Sequence, residues 1–439
     1  MSALVDLAAQ AVERALALGA EEAQARASSG SHVQITRRGG RVEQATEATT
    51  RGLVVSVLAE GRFTSNSTSD LRPEALEAFL RRCVDSAGYI EPDPDRALPP
   101  GDECGRGVSA EQLDQDDPAW AERTAADRSS EAEALEAAMT ARADASTISA
   151  SVWVADGRST SARVMSNGFA DEDAGAWFVA GADCTLRDGD KRPESGASYA
   201  ARHLADLPSA HAIAAEADQR ARERIGAGPI DSGSYPLILS NRAVGRILGA
   251  LTAPLSGASL HQRRSCLADK LGERIGSDVL TLIDDPTVPR GLASQPWDGD
   301  GRVARRSTVI EAGVLQRYYI GTYYSRKLSL PATSSGRSNW VVSPGDRPWS
   351  ELAAGWPKAI LVTGFLGGNS NAASGDFSFG IRGTLVENGS LTAPLGEMNV
   401  SGNLLDLLQR LVAVGDDPWA WSSVVAPTML FDGVSFSGT

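Results

Sequence analysis

The chain has 439 residues, 42% of them hydrophobic and 22% charged, a balance ordinary for a globular protein and a length that points to two or three domains. Its formal charge is -14, and since residues 231–439 carry 18 acidic and 18 basic side chains, the whole acidic excess lies in residues 1–230. Neither half clusters Lys and Arg as nucleic-acid binding requires, no run approaches the ~20 apolar residues of a membrane span, and Cys83, Cys104, Cys184 and Cys266 are scattered without a C-x-x-C pair, against a structural zinc or a disulfide framework.

In chain order, residues 3–27 read as an amphipathic helix with Leu4, Leu7, Ala8, Val12, Leu16 and Leu18 on its apolar side. Its acidic residues come early and no basic segment precedes it, so it is not a signal peptide and a cytoplasmic location is expected. Strands are predicted at His32–Thr36, Val42–Thr46 and Gly52–Leu58, the first two joined through Arg38-Gly39-Gly40-Arg41. Asp70 and Pro73 announce a helix over Glu74–Val84. Residues 85–129, with Pro92, Pro94, Pro99 and Pro100 among many Asp and Gly, read as an irregular connector, either a linker or a partner-facing loop. A helix over 130–143 follows, then strands Thr147–Val154, Ser161–Asn167, Ala176–Leu186 and Ser195–Ala201, then a long helix from about Ser209 to Ile225. The order helix, antiparallel strands, helix thus occurs twice, as a duplication would give.

Gly226–Ser234 is a short Gly/Pro/Ser hinge and sets the expected boundary between an N-terminal domain, 1–227, and a C-terminal domain, 228–439. Tyr235–Leu239 is a buried strand feeding a helix that opens at Asn241, with Val244, Ile247, Leu248 and Leu251 as its apolar stripe. The rest is β-rich: Val279–Ile283, Gly313–Tyr319, Ala359–Thr363, Ile381–Glu387, Leu391–Leu395 and Thr428–Phe431, with Asn388-Gly389 as a hairpin turn and one helix, Leu404–Val412. The expected class is α+β, with helices on an antiparallel sheet in the first domain and a β-rich second one.

The second domain resembles the TldD/PmbA (TldE) family. The resemblance is carried, in order, by Asp284-Asp285-Pro286 with Gly291-Leu292, Gly313-Val314-Leu315-Gln316, Tyr324-Ser325-Arg326-Lys327-Leu328, Ser374 to Gly380, Glu387-Asn388-Gly389 and Ser401 to Leu405. The first domain agrees in length and element order only. The resemblance implies a heterodimer in which a TldD-type subunit binds zinc through the histidines of His-Glu-x-x-x-His and a cysteine near the C-terminus, and cleaves unfolded peptides. The PmbA/TldE-type subunit keeps the fold without the metal ligands; such pairs process antitoxins and precursors of peptide natural products.

Carried onto this chain, the histidine positions are Asn241 and Arg246 and the glutamate position is Arg242. An amide oxygen is a weak zinc donor, and a guanidinium is a fixed cation that repels the metal and cannot act as base. The segment expected to bring the cysteine, Val412–Pro427, has none. A metal pair five residues apart, ~140° around an ideal helix, also needs a widened turn, which Gly245 would permit. No zinc is therefore expected in this chain, and none of its residues is expected to be catalytic; zinc is expected in the partner.

For Arg242 and Arg246 the plain reading is two solvated side chains at a helix start, and the sharper one is contact with a carboxylate of peptide or partner. Asp376, Phe377 and Ser378 belong either to a tight loop between strands or to the same contact surface. Trp419 and Trp421 read as a partner contact or as core plugs. His32 and His261 read as surface residues, and His203 and His211 are too far apart to be a helical ligand pair. The G-x-S-x-G and P-loop patterns are absent. The expectation is a non-catalytic partner of a TldD-type zinc peptidase, binding that subunit and peptide but neither nucleic acid nor membrane. The alternatives are a repurposed binding or non-zinc maturation subunit in peptide natural-product biosynthesis, and a metal-free homodimer.

Overall fold

The computed structural model describes residues 2–438. β1 (Glu22–Arg38), β2 (Arg41–Ala59), β3 (Arg62–Thr68), β4 (Thr147–Met165), β5 (Ala170–Leu186) and β6 (Glu194–Ala201) form one antiparallel sheet in the order β3-β2-β1-β4-β5-β6. Helices Ala3–Ala17 and Pro73–Ala87 pack on the first three strands, and Ala125–Thr140 and Ala210–Arg222 on the last three. The sheet is thus two helix–three-strand–helix units joined through the β1–β4 pairing.

Several boundaries differ from the sequence reading. The first helix stops at Ala17, because Gly19 sits at φ +109 and breaks the turn. Beyond it, buried Ala23, Ala25 and Ala27 recur with period two, which is a strand pattern in a stretch whose alanine content favours helix. Val42–Thr46 and Gly52–Leu58 are parts of the single strand β2, and the third strand is the polar Arg62–Thr68. Thr147–Val154 and Ser161–Asn167 likewise merge into β4, where Gly157 lies under the Trp177 ring, too close for a Cβ.

The connector is an intramolecular strap. Lys327 reaches Asp93 at 2.9 Å and Asp95 at 3.0 Å, and the Tyr323 hydroxyl donates to Asp93 at 2.7 Å. Further along, the Gly107 N–H donates to the Pro296 carbonyl, Gln115 to the Gly291 carbonyl and Arg290 to Asp114. Residues 93–115 are thereby bound to residues 290–327.

The remaining strands are β7 (Gly233–Leu239), β8 (Leu282–Asp285), β9 (Ser307–Glu311), β10 (Val314–Leu315), β11 (Asn339–Val342), β12 (Lys358–Ser370), β13 (Asp376–Glu387), β14 (Ser390–Pro394), β15 (Met398–Asn403), β16 (Leu411–Val414), β17 (Val424–Val425) and β18 (Met429–Gly438). One sheet runs β10-β9-β8-β11-β17. The other has seven strands: β12-β7-β18-β15-β13 closes into a ring, because β12 pairs with both β7 and β13, while β14 pairs with β13 and β16 with β18. Closure leaves its five staves without a free edge. The predicted strand Gly313–Tyr319 shortens to Val314–Leu315, since beyond it Tyr319 donates its N–H to the Leu255 carbonyl. The predicted strand at Val279–Ile283 shifts to Leu282–Asp285, and the helix from Leu404 ends at Gln409. Asn388 and Gly389 have φ of 50° and 77°, as a tight β13–β14 hairpin requires. Between the two sheets lies a core around fully buried Trp340, whose indole N–H donates to the Tyr319 hydroxyl at 2.6 Å.

Candidate functional site

The motif helix spans Asn241–Gly249 and leaves β7 through Ser240, whose N–H donates to the Val362 carbonyl on β12 at 3.0 Å. Ala243, Val244, Ile247 and Leu248 are buried on the core side, so positions 242 and 246 face away from it. The helix is regular α throughout; the widened turn that Gly245 would permit does not form.

Asn241 donates its amide to the Asp417 backbone carbonyl at 2.8 Å and to its carboxylate at 3.3 Å. The Asn241 N–H also donates to the Thr428 hydroxyl at 3.2 Å, and that hydroxyl donates to Asp417 at 2.8 Å. Asp417 thus lies at the N-terminal end of the helix, where the macrodipole favours a negative charge. It belongs to the segment from which the family resemblance would draw a cysteine.

Arg242 is not a solvated side chain. It forms an ion pair with Glu216 of helix Ala210–Arg222, donates to the Tyr199 hydroxyl of β6 at 2.8 Å, and lies over the Trp419 ring at 3.3 Å from its centroid. Tyr199 in turn hydrogen-bonds Glu216 and packs against Trp419 and Trp421, each with ring centroids 5.2 Å away. Burial pulls the Arg242 pKa down while Glu216 and Tyr199 oppose it; burial, and then the Glu216 hydrogen bond, push the Tyr199 phenol up. A cation flanked by an aromatic ring and a carboxylate gains both cation–π and Coulomb attraction in a partly dry setting. This seat joins the six-stranded sheet to the closed one, and Trp419 and Trp421 act as plugs within it.

Arg246 is exposed, donates to the Gly368 carbonyl of β12 at 2.8 Å and lies over the Phe379 ring at 4.8 Å. The β13 candidates divide by strand alternation. Asp376 and Ser378 are exposed, whereas Phe377 is 4% exposed and stacked on Phe379, so its ring serves the core. Hydrogen bonds from Ser374 and then Asn403 hold the Asp376 carboxyl below its ordinary value. Arg246 and Ser378 are brought to the same β12–β13 end, with Gly368 beside Ser378, while Arg242 is directed elsewhere. His203 is buried against the strap, its Nε2 within 2.9 Å of the Asp114 carbonyl.

The residues at 241, 242 and 246 do not fit a zinc ion. The amide is committed to Asp417, one guanidinium is clamped to Glu216, and the other occupies the second histidine position. Among the described residues no three of His, Cys, Asp and Glu lie close enough to hold a metal. Also among them, no helix is long and apolar enough to cross a membrane.

Sequence reasoning missed Tyr199, Glu216 and Asp417. They bear no motif, and two of them precede the helix across the hinge; the closely spaced pair of tryptophans was the one usable signal.

Comparison with known proteins agrees with this architecture. Residues 232–438 match the PmbA/TldA metallopeptidase C-terminal domain, and residues 23–87 match PmbA/TldA metallopeptidase domain 1. The metalloprotease PmbA of Escherichia coli O157:H7 is 26% identical over 98% of this chain and 96% of its own. A solved structure from Bacteroides thetaiotaomicron, described as a candidate modulator of DNA gyrase, is 35% identical, superimposes with a TM-score of 0.94 and is aligned over 99% of this chain and 98% of its own. The crystal structure of TldE from Thermococcus kodakarensis, 19% identical, shares the fold with a TM-score of 0.85 over 98% of this chain and all of the other. With both ends of the chain matched and the fold shared over its whole length, the chain belongs to the PmbA/TldD family.

Proposed function

We propose that this chain is the non-catalytic subunit of a two-subunit TldD-type zinc peptidase acting on unfolded or precursor peptides, with the zinc in the partner. The observation that carries the reading is the seat of Arg242. The position where a metal peptidase needs a carboxylate base holds a guanidinium, and the chain's own Glu216, Tyr199 and Trp419 are arranged to receive it. A lost catalytic residue that has acquired three partners supports a structural role in an assembly whose chemistry lies elsewhere. Residues 1–227 and 228–439 are its two domains in this reading, and four unpaired thiols accord with a reducing, cytoplasmic setting.

The test is reconstitution. Mixed with a TldD-type subunit from the same genome, the purified chain forms a stable complex whose peptidase activity exceeds that of either component. Absence of association at micromolar concentration would count against the reading. Metal analysis of the isolated chain gives well below one zinc per chain, and a tightly held equivalent would overturn the assignment of zinc to the partner.

A further inference from the structure

Where the two parts of the chain meet, the hinge at Ala227–Pro229 floors a cavity of about 580 Å³. One wall comes from Asp188, residues 191–194 and Arg224, the other from Leu366 on β12, Arg382 on β13 and residues 396–397. Arg224 and Arg382 also line a small adjoining cavity of about 20 Å³, so the two guanidinium groups stand together at the seam. Four cations border the large cavity, Lys191, Arg192, Arg224 and Arg382, and among the described residues none has a carboxylate within 4.0 Å. Some arginines of this acidic chain are neutralised, as Arg128 is by Asp156 at 2.7 Å and Arg242 is by Glu216, while Arg202 also has no carboxylate within 4.0 Å among the described residues.

Arg224 and Arg382 share a second feature, found also at Arg62, Arg202 and Arg317 but there without a second such arginine lining the same cavity. The Nε of each is buried without a hydrogen-bond partner. A buried guanidinium N–H without an acceptor costs free energy, and a second guanidinium alongside adds repulsion. Burial, and then the charge of Arg382, pull the Arg224 pKa down. An anion between the two groups would relieve both costs.

We propose that this cavity is a binding site for a carboxylate-bearing peptide end, held by Arg224 and Arg382. The charge of the lining selects a monoanion: Asp188, Glu194 and Glu397 leave the four cations a net excess of one, which matches one carboxylate and disfavours a phosphate dianion. Glu194 and Glu397 are suited to the N–H groups of a peptide, and Pro193, Pro229 and Leu366 give it apolar surface, while Asp188 is held by the Gly226 N–H and the Gly228 carbonyl by the Gly396 N–H. Lys191 donates to the Ala227 carbonyl at 2.7 Å and fixes the wall to the hinge. The site is independent of the partner-subunit reading, since the isolated chain contains all of it.

Calorimetric titration of the isolated full chain with acetyl-Ala-Ala-Leu as the free acid, as its C-terminal amide, and with inorganic phosphate decides the matter. The free acid binds at least about tenfold more tightly than the amide, the difference one charge-assisted hydrogen bond supplies. Arg382→Gln and Arg224→Gln each remove that preference. Both variants relieve like-charge repulsion, so their melting temperatures equal or exceed that of the parent chain, which separates lost binding from lost folding. Equal affinity for acid and amide, no binding at millimolar peptide, binding of phosphate alone, or an acid preference that survives both substitutions would each overturn the proposal.

Discussion

At position 242 a side chain with the ordinary look of a surface arginine holds two parts of the molecule together. Its exposure is 19% and that of Glu216 is 26%, so the pair is neither fully dry nor screened as a surface pair is. Arg242→Ala leaves Glu216 part-buried and Trp419 without its cation, and lowers stability by about 2 kcal/mol, between the worth of a surface pair and that of a fully buried one. Chemical denaturation of the parent and variant measures this. The exchanged double variant Glu216→Arg with Arg242→Glu regains part of the loss if charge complementarity matters, and none if the stacking on Trp419 carries the whole effect. The sequence offered only a helix start with two arginines here. Helical periodicity does not report which residues arrive from 26 or more positions earlier, and Glu216 and Tyr199 do. Asp417 was equally silent, because a carboxylate in a loop has no pattern to distinguish it.

Elements show the same division between local and distant causes. The helices with their own start and stop residues were legible: Pro73 is the first residue of its helix, and the Asn388-Gly389 turn adopts the left-handed conformations its composition requires. Asn388→Val places a β-branched residue at φ 50° and costs about 1–2 kcal/mol, readable as a shift in the denaturation midpoint at unchanged slope. The strap from 93 to 115 was not legible, since composition shows that a segment is irregular but not what it lies against. Its anchor gives a pH prediction. Hydrogen bonds from Tyr323 and then Lys327 lower the Asp93 carboxyl to about 2 from an ordinary value near 3.8. A carboxyl depressed in the folded state contributes stability above its unfolded pKa and loses it as the pH falls through the folded one. The gap in melting temperature between the parent and Asp93→Asn is therefore full at neutral pH and shrinks between about pH 4 and pH 2. A gap that stays constant over that window would show that the carboxylate charge has no part in anchoring the strap.

Across the whole molecule, the α+β class and the β-rich second half were readable from alternation and turn residues. Closure of the second sheet was not, because it depends on which strands become neighbours. β7 and β18 are paired although some 190 residues separate them, with Leu237 opposite Phe431 and Leu239 opposite Met429. Such a pairing leaves no local trace beyond two apolar runs. A fold built on it has much non-local contact and is expected to form slowly.

That pairing also orders events during synthesis. β18 lies between β7 and β15, so until residues 429–438 have left the ribosome the sheet is an open ribbon, with β7 at one edge and β15 at the other. The nascent chain therefore spends the translation of some two hundred residues with backbone N–H and C=O groups of the apolar strand Tyr235–Leu239 unpaired on at least one side, a template for joining strands of another chain. A chain terminated after Thr428 is held in that state permanently. Its soluble fraction on expression falls well below that of the full chain, and supplying residues 429–438 in trans as a separate peptide restores it only if the final stave can enter a sheet already made.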